Sequence, residues 1–369
     1  MQPTNLLAAS RPHHLDPSKK TCRVVFVTRN FGDKVGTSNV GVGVTNCQIA
    51  KVLRRDGYWA DCLTVDSGTA LNQYIQQTQA EAIATGCLPI SNVIIASPSW
   101  MTTTEIRGLC GKYTTITFAL VNHSGPSYLT IDINDEGSGI WANRLAVNLQ
   151  RDSHNFELCA NNPRFVELIQ KKDAAPCRLL NNLYDCEDFA TYTAKREIGS
   201  VVRIASFGAP RHHKNQLSAA MAALIIARQL GAKLELYINS AMENDERLTT
   251  SRNDLFREER DASIISVPWE AWPDFKRTMS RMHLSIQASF DETMNMSVCD
   301  AISVGVPSVV GPCVEWMPPS AMCVPHDPCD VAKVGLALLH DTHAVEDGRK
   351  ALRAYVAAAL ERWREFLGR

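Results

Sequence analysis

The sequence lacks the features that would place it in a membrane or in an oxidising compartment. Its longest apolar run covers residues 219–227, and a membrane-spanning helix needs roughly 20. The first 20 residues contain no apolar core like that of a signal peptide. None of the twelve cysteines forms a C-x-x-C pair, and none has Cys or His partners at zinc-site spacing. We therefore expect a cytoplasmic protein with reduced thiols and no bound metal.

A strong excess of charge of either sign is also missing. The chain carries 38 Lys and Arg against 39 Asp and Glu, for a net charge of −1. This balance provides no overall attraction to nucleic acid or to an anionic membrane, although it leaves room for a local basic patch. Hydrophobic residues make up 45% of the 369 positions, which is enough for a full core in each of two domains.

Short apolar runs alternate with amphipathic segments along most of the chain. This alternation is typical of a mostly parallel sheet with helices on both faces, and it restarts near residue 201. We predict an α/β protein with two Rossmann-like domains and a helical C-terminus. The predicted division is a flexible leader at 1–20, a first domain at 21–190, a second domain at 191–343 and a terminal helix at 344–369, with the linker at 181–197.

The segment 289–310 combines two acidic residues with a predicted helix. Asp291 is suited to begin this helix, and Gly305 followed by a proline ends it. Glu292 and Asp300 would then lie ~80° apart on the helix and ~12 Å apart along it. One extended ligand could contact both acids, and its diphosphate would suit the positive end of the helix dipole. An acidic first turn and a solvated aspartate explain the same pattern without a ligand.

A basic loop follows the first predicted strand of the second domain. Gly208 comes first, Arg211 and Lys214 supply the positive charge, and Asn215 precedes the next predicted helix. Loops at the carboxyl ends of parallel strands border ligand sites, so these cations could neutralise a leaving diphosphate. An exposed basic loop without a ligand is the alternative interpretation.

Three further candidates have weaker patterns. His123 follows the predicted strand 115–122, where it could enter a site, cap a helix or simply lie on the surface. Trp269 follows a predicted strand, and packing is the common role of such a residue. Gly41 and Gly43 would give flexibility to a loop between the first strand and the first helix. Because they do not form a G-x-G-x-x-G motif, these glycines are weak evidence for a dinucleotide site.

Segment 289–310 resembles the E-x7-E motif of the retaining glycosyltransferases of family 4. Glu292 matches the first acid of that motif, and Asp300 stands where the family usually has its second Glu. Segment 204–216 is similar to the G-R-x-x-x-x-K-[GN] loop of the family. Lys214 and Asn215 keep the family spacing from Gly208, and Arg211 lies two residues beyond the usual arginine. The resemblance is looser in the N-terminal half of the chain.

This resemblance implies a GT-B fold, in which two Rossmann-like domains face each other across a cleft and the C-terminal helix crosses back. It also implies a nucleotide-diphosphate sugar, expected to be a UDP-sugar, as co-substrate, with no further cofactor and no metal. Catalytic roles would fall to His123, Lys214, Arg211 and Glu292, and Gly41 and Gly43 would form a loop near acceptor and phosphate. The donor-binding residues it implies are Gly208, Lys214, Asn215, Trp269, Glu292, Thr293, Met294, Asn295 and Asp300.

The acceptor and the chemistry remain open at this point. The chain resembles small glycosyltransferases of bacteria and phages, and this similarity allows a glycan, a small molecule or a hydroxymethylated DNA base as acceptor. A local rim of Lys51, Arg54 and Arg55 would favour DNA. A sugar-nucleotide epimerase of the same fold and a non-catalytic nucleotide-sugar binding module are the two alternatives. The sequence does not indicate an oligomeric state.

Overall fold

A computed structural model describes residues 4–5, 22–29, 41–96, 101–123, 125–126, 139–189, 197–239 and 246–368. The chain divides into two compact units. Unit 1 comprises Met1–Asp185 together with Val356–Arg369, and unit 2 comprises Cys186–Tyr355. Each unit is built around its own largely parallel sheet, and this confirms the predicted fold class of two Rossmann-like domains.

The described strands of unit 1 form one sheet in the order β1-β3-β2-β4-β5-β6-β7. All neighbours pair in parallel except β1, which runs antiparallel to β3. The inner strands are apolar over most of their length because helices cover both faces of such a sheet. The strands are β1 Thr4–Asn5, β2 Arg23–Arg29, β3 Trp59–Val65, β4 Ile90–Ala96, β5 Thr117–Asn122, β6 Phe156–Ala160 and β7 Arg178–Leu179.

Local sequence signals explain where several unit 1 helices begin and end. Ser67 caps the second helix, which stops at Gly86 in the left-handed region with φ +69°. Thr102 and Glu105 form a capping box at the third helix. The described helices are α1 Gly41–Arg55, α2 Gly68–Thr85, α3 Thr103–Lys112, α4 Gly139–Asp152 and α5 Pro163–Asp173.

Unit 2 contains a five-stranded parallel sheet in its described part, in the order β10-β9-β8-β11-β12. The direction of strand addition reverses between β8 and β11, and ligands of open α/β sheets bind beside such a reversal. The strands are β8 Val201–Ala205, β9 Lys233–Asn239, β10 Ala262–Val267, β11 Leu284–Gln287 and β12 Ser308–Val310. The helices are α6 Gln216–Leu230, α7 Glu246–Phe256, α8 Trp272–Met279, α9 Met296–Ser303, α10 Pro328–His340 and α11 Ala344–Phe366.

Helix α11 contributes to both units, since the division falls after Tyr355. Its C-terminal part completes the core of unit 1 through Trp363, which is fully buried. The Trp363 indole nitrogen donates to the carbonyl of Asn181 at 2.8 Å, and its ring centroid lies 5.6 Å from that of Phe26. Unit 1 is therefore discontinuous in sequence.

Two details differ from the sequence-based expectations. Thr4–Asn5, placed in the predicted leader, pairs with β3, while the rest of 1–20 lies outside the described residues. Residues 181–185 are buried in unit 1, although the predicted linker begins there. Asn182 Oδ1 accepts a hydrogen bond from Asn161, and the backbone N–H of Asp185 donates to Gln48 Oε1, which explains why a polar segment is packed rather than exposed.

No disulfide joins any of the twelve cysteines, all of which lie among the described residues. Within the described ranges, no helix combines the length and apolar character that a membrane crossing requires.

Candidate functional site

The loop that follows β8 is held in place by side chains from two neighbouring elements. Gly208 adopts φ +122°, a conformation that residues with a side chain rarely reach. Its N–H donates to Asn239 Oδ1 at 2.8 Å, and its carbonyl accepts from Gln216 Nε2 at 3.0 Å. The backbone of the basic loop is therefore held in place by the protein itself.

Lys214 and Glu292, from the two predicted motifs, form an ion pair in unit 2. Lys214 Nζ lies 2.5 Å from Glu292 Oε1, and the two side chains are 21% and 7% exposed. A backbone hydrogen bond of 2.8 Å from the N–H of Phe290 to the carbonyl of His213 joins the two loops beside this pair. The structure thus brings together two residues that the sequence analysis selected independently.

Glu292 is held by a polar network as well as by Lys214. Asn295 donates from Nδ2 to Glu292 Oε1 at 3.1 Å and to Gln287 Oε1 at 3.3 Å. Gln287 in turn donates to the carbonyl of Phe207 at 2.9 Å, which ties the acidic loop to the basic loop. A carboxylate with two fixed donors is restricted to one orientation.

The predicted start of the acidic helix is wrong. Helix α9 begins at Met296, and its N-cap is Asn295, whose Oδ1 accepts from the N–H of Val298 at 3.2 Å. Asp291 does not cap the helix, and Glu292 lies in the preceding loop. The expected ~80° relation of Glu292 and Asp300 on one helix therefore does not apply.

Asp300 is a buried residue of α9, with 3% of its surface exposed. Its Oδ1 accepts a hydrogen bond from the indole nitrogen of Trp272 at 3.0 Å. The ammonium of Lys276 lies 4.8 Å from the Trp272 ring centroid, on the same helix α8. A ligand hydroxyl that reached Asp300 would have to share its carboxylate with Trp272.

The remaining predicted donor-binding residues lie in the loops of the same unit. Asn215 is engaged with protein, because its Nδ2 donates to the carbonyls of Ala288 at 3.0 Å and Pro325 at 2.5 Å. Met294 is buried, and its carbonyl accepts from the Trp316 indole at 2.8 Å. Thr293 and Trp269 are half-buried.

Arg211 and Lys214 supply positive charge to the basic loop, and His213, one of the two histidines between them, is neutral at pH 7. Burial lowers the pKa of His213 to about 4, with smaller contributions from the positive charges of Lys214 and Arg211. Arg211 is exposed. In the part of the chain that the structure describes, no three or more His, Cys, Asp or Glu side chains are grouped as metal ligands.

His123, the candidate of unit 1, lies directly after β5 and belongs to a polar cluster. Asn161, which follows the neighbouring strand β6, has its Nδ2 3.0 Å from His123 Nδ1 and 3.0 Å from Asn182 Oδ1. Burial lowers the pKa of His123 to about 4, so the imidazole is neutral at pH 7.

Gly41 and Gly43 are the first and third residues of helix α1 and do not belong to a loop, which is a correction to the predicted phosphate loop. Gly32 and Gly36, which precede them in the sequence, lie outside the described residues.

Two residues of the predicted basic rim pair with carboxylates of the protein. Arg54 lies 3.5 Å from a carboxylate oxygen of Asp61, and Arg55 pairs with Asp185.

Sequence reasoning missed three residues that shape these clusters: Gln287, Asn161 and Trp272 as a partner of Asp300. Gln287 and Asn161 stand at or just after the carboxyl end of a parallel strand. A polar residue at the end of an otherwise apolar strand is the signal that could have found them.

No protein-family model matches the sequence, and a search of curated proteins gives no match. Solved structures do match it. Sucrose-phosphate synthase from Thermosynechococcus elongatus aligns at a TM-score of 0.61 and 13% identity, over 94% of this chain and 98% of that chain. HepE from Anabaena, in complex with UDP and glucose, aligns at a TM-score of 0.56 and 13% identity, over 93% and 95% of the two chains.

A point mutant of TarM from S. aureus, in complex with fondaparinux, alpha-GlcNAc-glycerol and UDP, aligns at a TM-score of 0.53 and 13% identity. That match covers 75% of this chain and 55% of the other, so this chain spans about half the length of the TarM chain. At such identities the comparisons show the fold alone. The chain has the GT-B fold of two Rossmann-like domains, which confirms the fold prediction.

Proposed function

We propose that this chain is a glycosyltransferase that moves a sugar from a nucleotide-diphosphate sugar to an acceptor hydroxyl. The observation that carries the proposal is the Lys214–Glu292 ion pair, which joins the two motif segments of unit 2. The GT-B fold supports it, since HepE of the same fold is in complex with UDP and glucose. A UDP-sugar is the donor that we propose first.

Lys214 and Arg211 would stabilise the negative charge that develops on the leaving diphosphate. A fixed donor aimed at developing charge contributes ~3–4 kcal/mol to such a step. Lys214 is suited to this role because Glu292 and the half-buried setting restrict its side chain. The N–H groups in the first turn of α9, at Met296 and Ser297, could add to this stabilisation.

Glu292 would accept hydrogen bonds from hydroxyls of the donor sugar, and the backbone of Thr293 and Met294 would contact sugar or phosphate. Asp300 would bind the ribose, sharing its carboxylate with Trp272. Trp269 would stack on the nucleobase. His123 would donate a hydrogen bond to the sugar. Retention of anomeric configuration and independence of metal belong to the same proposal and rest on the resemblance of segments 204–216 and 289–310 to family 4.

The acceptor class is the least constrained part of the proposal. A glycan, a small molecule and a hydroxymethylated DNA base all present the required hydroxyl. Arg54 and Arg55, which would favour DNA, form ion pairs with acidic residues of unit 1. We therefore place glycan and small-molecule acceptors ahead of DNA.

The test is mass spectrometry of a panel of nucleotide sugars against glycan, small-molecule and modified-DNA acceptors. We expect turnover with a UDP-sugar, in the presence of EDTA, and NMR of the product should show a retained anomeric configuration. Lys214→Ala should lose about 10²–10³-fold in turnover. Lys233→Ala is the matched control, because Lys233 is an exposed lysine of the same unit that lies 3.8 Å from Asp261. Equal turnover by the two variants would contradict the proposal.

Two results would favour the alternatives. A changed sugar on the nucleotide in the absence of any acceptor would identify an epimerase. Tight binding of a nucleotide sugar with no product on any acceptor would identify a binding module.

A further inference from the structure

His123 and Asn161 occupy equivalent places at the ends of adjacent parallel strands. Asn122 is the last residue of β5 and pairs with Ala160, the last residue of β6. The N–H of Asn161 also donates to the carbonyl of Asn122 at 3.1 Å. The imidazole and the amide are thus placed side by side by the sheet itself, and their relative position does not depend on a flexible loop.

The structure orients the side-chain amide of Asn161 with its Nδ2 toward two neighbours. Nδ2 carries two hydrogens and lies 3.0 Å from both His123 Nδ1 and Asn182 Oδ1, while Asn161 Oδ1 is buried without a hydrogen-bond partner among the described residues. Reversal of this amide alone would bring its oxygen to 3.0 Å from Asn182 Oδ1, an arrangement in which both oxygens lack a hydrogen. In the orientation of the structure, Asn161 donates to His123, and His123 Nδ1 accepts.

The segment that carries Asn182 is itself fixed. Asn181 donates from Nδ2 to the carbonyl of Asn161 at 3.3 Å, and its own Oδ1 accepts from Arg362 at 2.9 Å. The carbonyl of Asn181 accepts from the Trp363 indole. Asn161, Asn181 and Asn182 are all buried. This network fixes the segment that carries Asn182, and rotation of the Asn161 amide would break both hydrogen bonds of its Nδ2.

A neutral imidazole has one N–H and one acceptor nitrogen. Since Nδ1 accepts from Asn161, the single proton of His123 lies on Nε2. Among the described residues, His123 forms its hydrogen bond to Asn161 through Nδ1, and its side chain is half-buried. We propose that Asn161 is a positioning residue that holds His123 as the Nε2–H tautomer, so that His123 donates a hydrogen bond to a ligand oxygen and does not act as a base.

The identity of that ligand oxygen, a hydroxyl of the donor sugar, rests on the proposed function, whereas the tautomer does not. Burial is the cause of the low pKa of His123, about 4, with no contribution from a charged side chain. Arg362 approaches the cluster only through Asn181. His123 therefore keeps its Nε2–H at every pH above about 5.

The direct test is two-bond ¹H–¹⁵N NMR of the full chain labelled in its histidines, without any ligand. His123→Gln assigns the signal of His123 among the 10 histidines. We expect the Nε2–H pattern, unchanged between about pH 5.5 and 8. An Nδ1–H pattern, or a titration of this signal near pH 6.5, would overturn the proposal, whatever the enzyme turns over.

Asn161→Asp tests the positioning role. The new carboxylate accepts from Nδ1–H, so it raises the pKa of His123 and favours the opposite neutral tautomer. Nε2–H is then present while the imidazole is charged and is lost as the pH rises through the raised pKa. We expect kcat/KM for the donor to acquire an alkaline decline that the wild type lacks.

Asn162→Asp is the matched control, since it adds the same charge one residue away. Asn162 caps α5 by accepting from the N–H groups of Arg164 and Phe165, and aspartate caps helices equally well. This variant should keep the wild-type pH profile and the wild-type tautomer. If both variants change the profile alike, a general field effect accounts for the result and the positioning role is refuted.

Asn161→Ala provides a readout that does not depend on a buried charge. Loss of the Nδ1 donor should give a mixture of tautomers and weaken binding of the nucleotide sugar in proportion to the Nε2–H fraction that is lost, about twofold for equal populations. Binding of UDP alone should not change. A pure Nε2–H signal in this variant would show that Asn161 does not set the tautomer. Should the nucleotide sugar fail to bind the wild type while the tautomer is as expected, the proposed function fails and the assignment of Asn161 stands.

Discussion

Lys214 Nζ lies 2.5 Å from Glu292 Oε1, although 78 residues separate the two in the sequence. The lysine comes from the loop after β8 and the glutamate from the loop after β11, two strands that are neighbours in the sheet of unit 2. The pair is neutral as a whole. A diphosphate would therefore compete with Glu292 for Lys214, while Glu292 would remain available to hydroxyl groups of a sugar.

Removal of one partner of this pair should cost more stability than removal of both. Lys214→Met removes the ammonium that pairs with the buried carboxylate of Glu292, and we expect a loss of about 1–3 kcal/mol in the free energy of unfolding. The double variant Lys214→Met, Glu292→Gln should recover part of that loss. Urea denaturation of the wild type, both single variants and the double variant measures the coupling. Additive losses would show that the two side chains do not interact.

Trp272→Phe should weaken nucleotide binding. The substitution keeps an aromatic ring and removes the indole N–H that donates to Asp300 Oδ1. The buried carboxylate would lose a donor, at a cost of about 1–3 kcal/mol in stability, and its orientation would be less restricted. Calorimetry with UDP measures the affinity. Trp269→Phe serves as the comparison, because Trp269 is proposed to use its ring face alone, and an equal effect of the two changes would contradict this assignment.

Gly311→Ala should disturb the acidic loop. A Cβ at Gly311 would lie 2.2 Å from the carbonyl oxygen of Ser289, so the backbone before Glu292 would have to move. We expect a large loss of stability and of UDP affinity. Gly111→Ala is the control, since its Cβ would meet nothing within 4 Å. Crystal or NMR data showing an unmoved Ser289 in Gly311→Ala would refute the steric argument.

Stability should fall on mild acidification. The pKa values of His123 and His213 are both about 4 in the folded chain, below the ordinary value of 6.5. The folded state thus favours the neutral form of each imidazole. Their contribution is complete above pH 6.5 and is lost as the pH falls from 6.5 through 4. Urea denaturation at several pH values should show a smaller slope in His213→Asn than in the wild type, and His343→Asn, at an exposed position, is the control.

Trp363→Ala should strongly destabilise unit 1. The side chain is fully buried, contacts Phe26 and donates to the carbonyl of Asn181. Truncation of a buried tryptophan costs about 3–5 kcal/mol. Ile83→Ala, at a position that is 85% exposed, should change the melting temperature little. Similar melting temperatures for the two variants would contradict a role of the C-terminal segment in the core.

The sheets were predictable because buried parallel strands are short apolar runs with clear ends. Strand 115–122, for example, was expected from its sequence, and β5 covers Thr117–Asn122 of it. The start of α9 was not predictable, since Asp291 and Asn295 are both good N-cap residues. Asn295 is the actual cap, and it is also held by Gln287 across the sheet edge. That contact depends on the tertiary structure, which a local pattern does not contain.

The buried face of α6 is not the one that its large apolar side chains indicate. Met221 is 40% exposed, while Ala219 and Ala223 are buried. The neighbouring helix α10 approaches closely at Gly335, where an added Cβ would lie 2.8 Å from Ile226 Cδ1. Close approach of helices favours alanine and glycine at the contact, and apolar periodicity based on large side chains misses such a face.

The division of unit 1 into two stretches of sequence has a consequence for the order in which the protein can fold. Residues 356–369 belong to unit 1 and follow the whole of unit 2 in the chain. A ribosome makes them after unit 2, so the N-terminal stretch of unit 1 lacks Trp363 until unit 2 has been synthesised. Unit 1 therefore cannot complete its core before unit 2 has been made, and unit 2 is the part that can fold first.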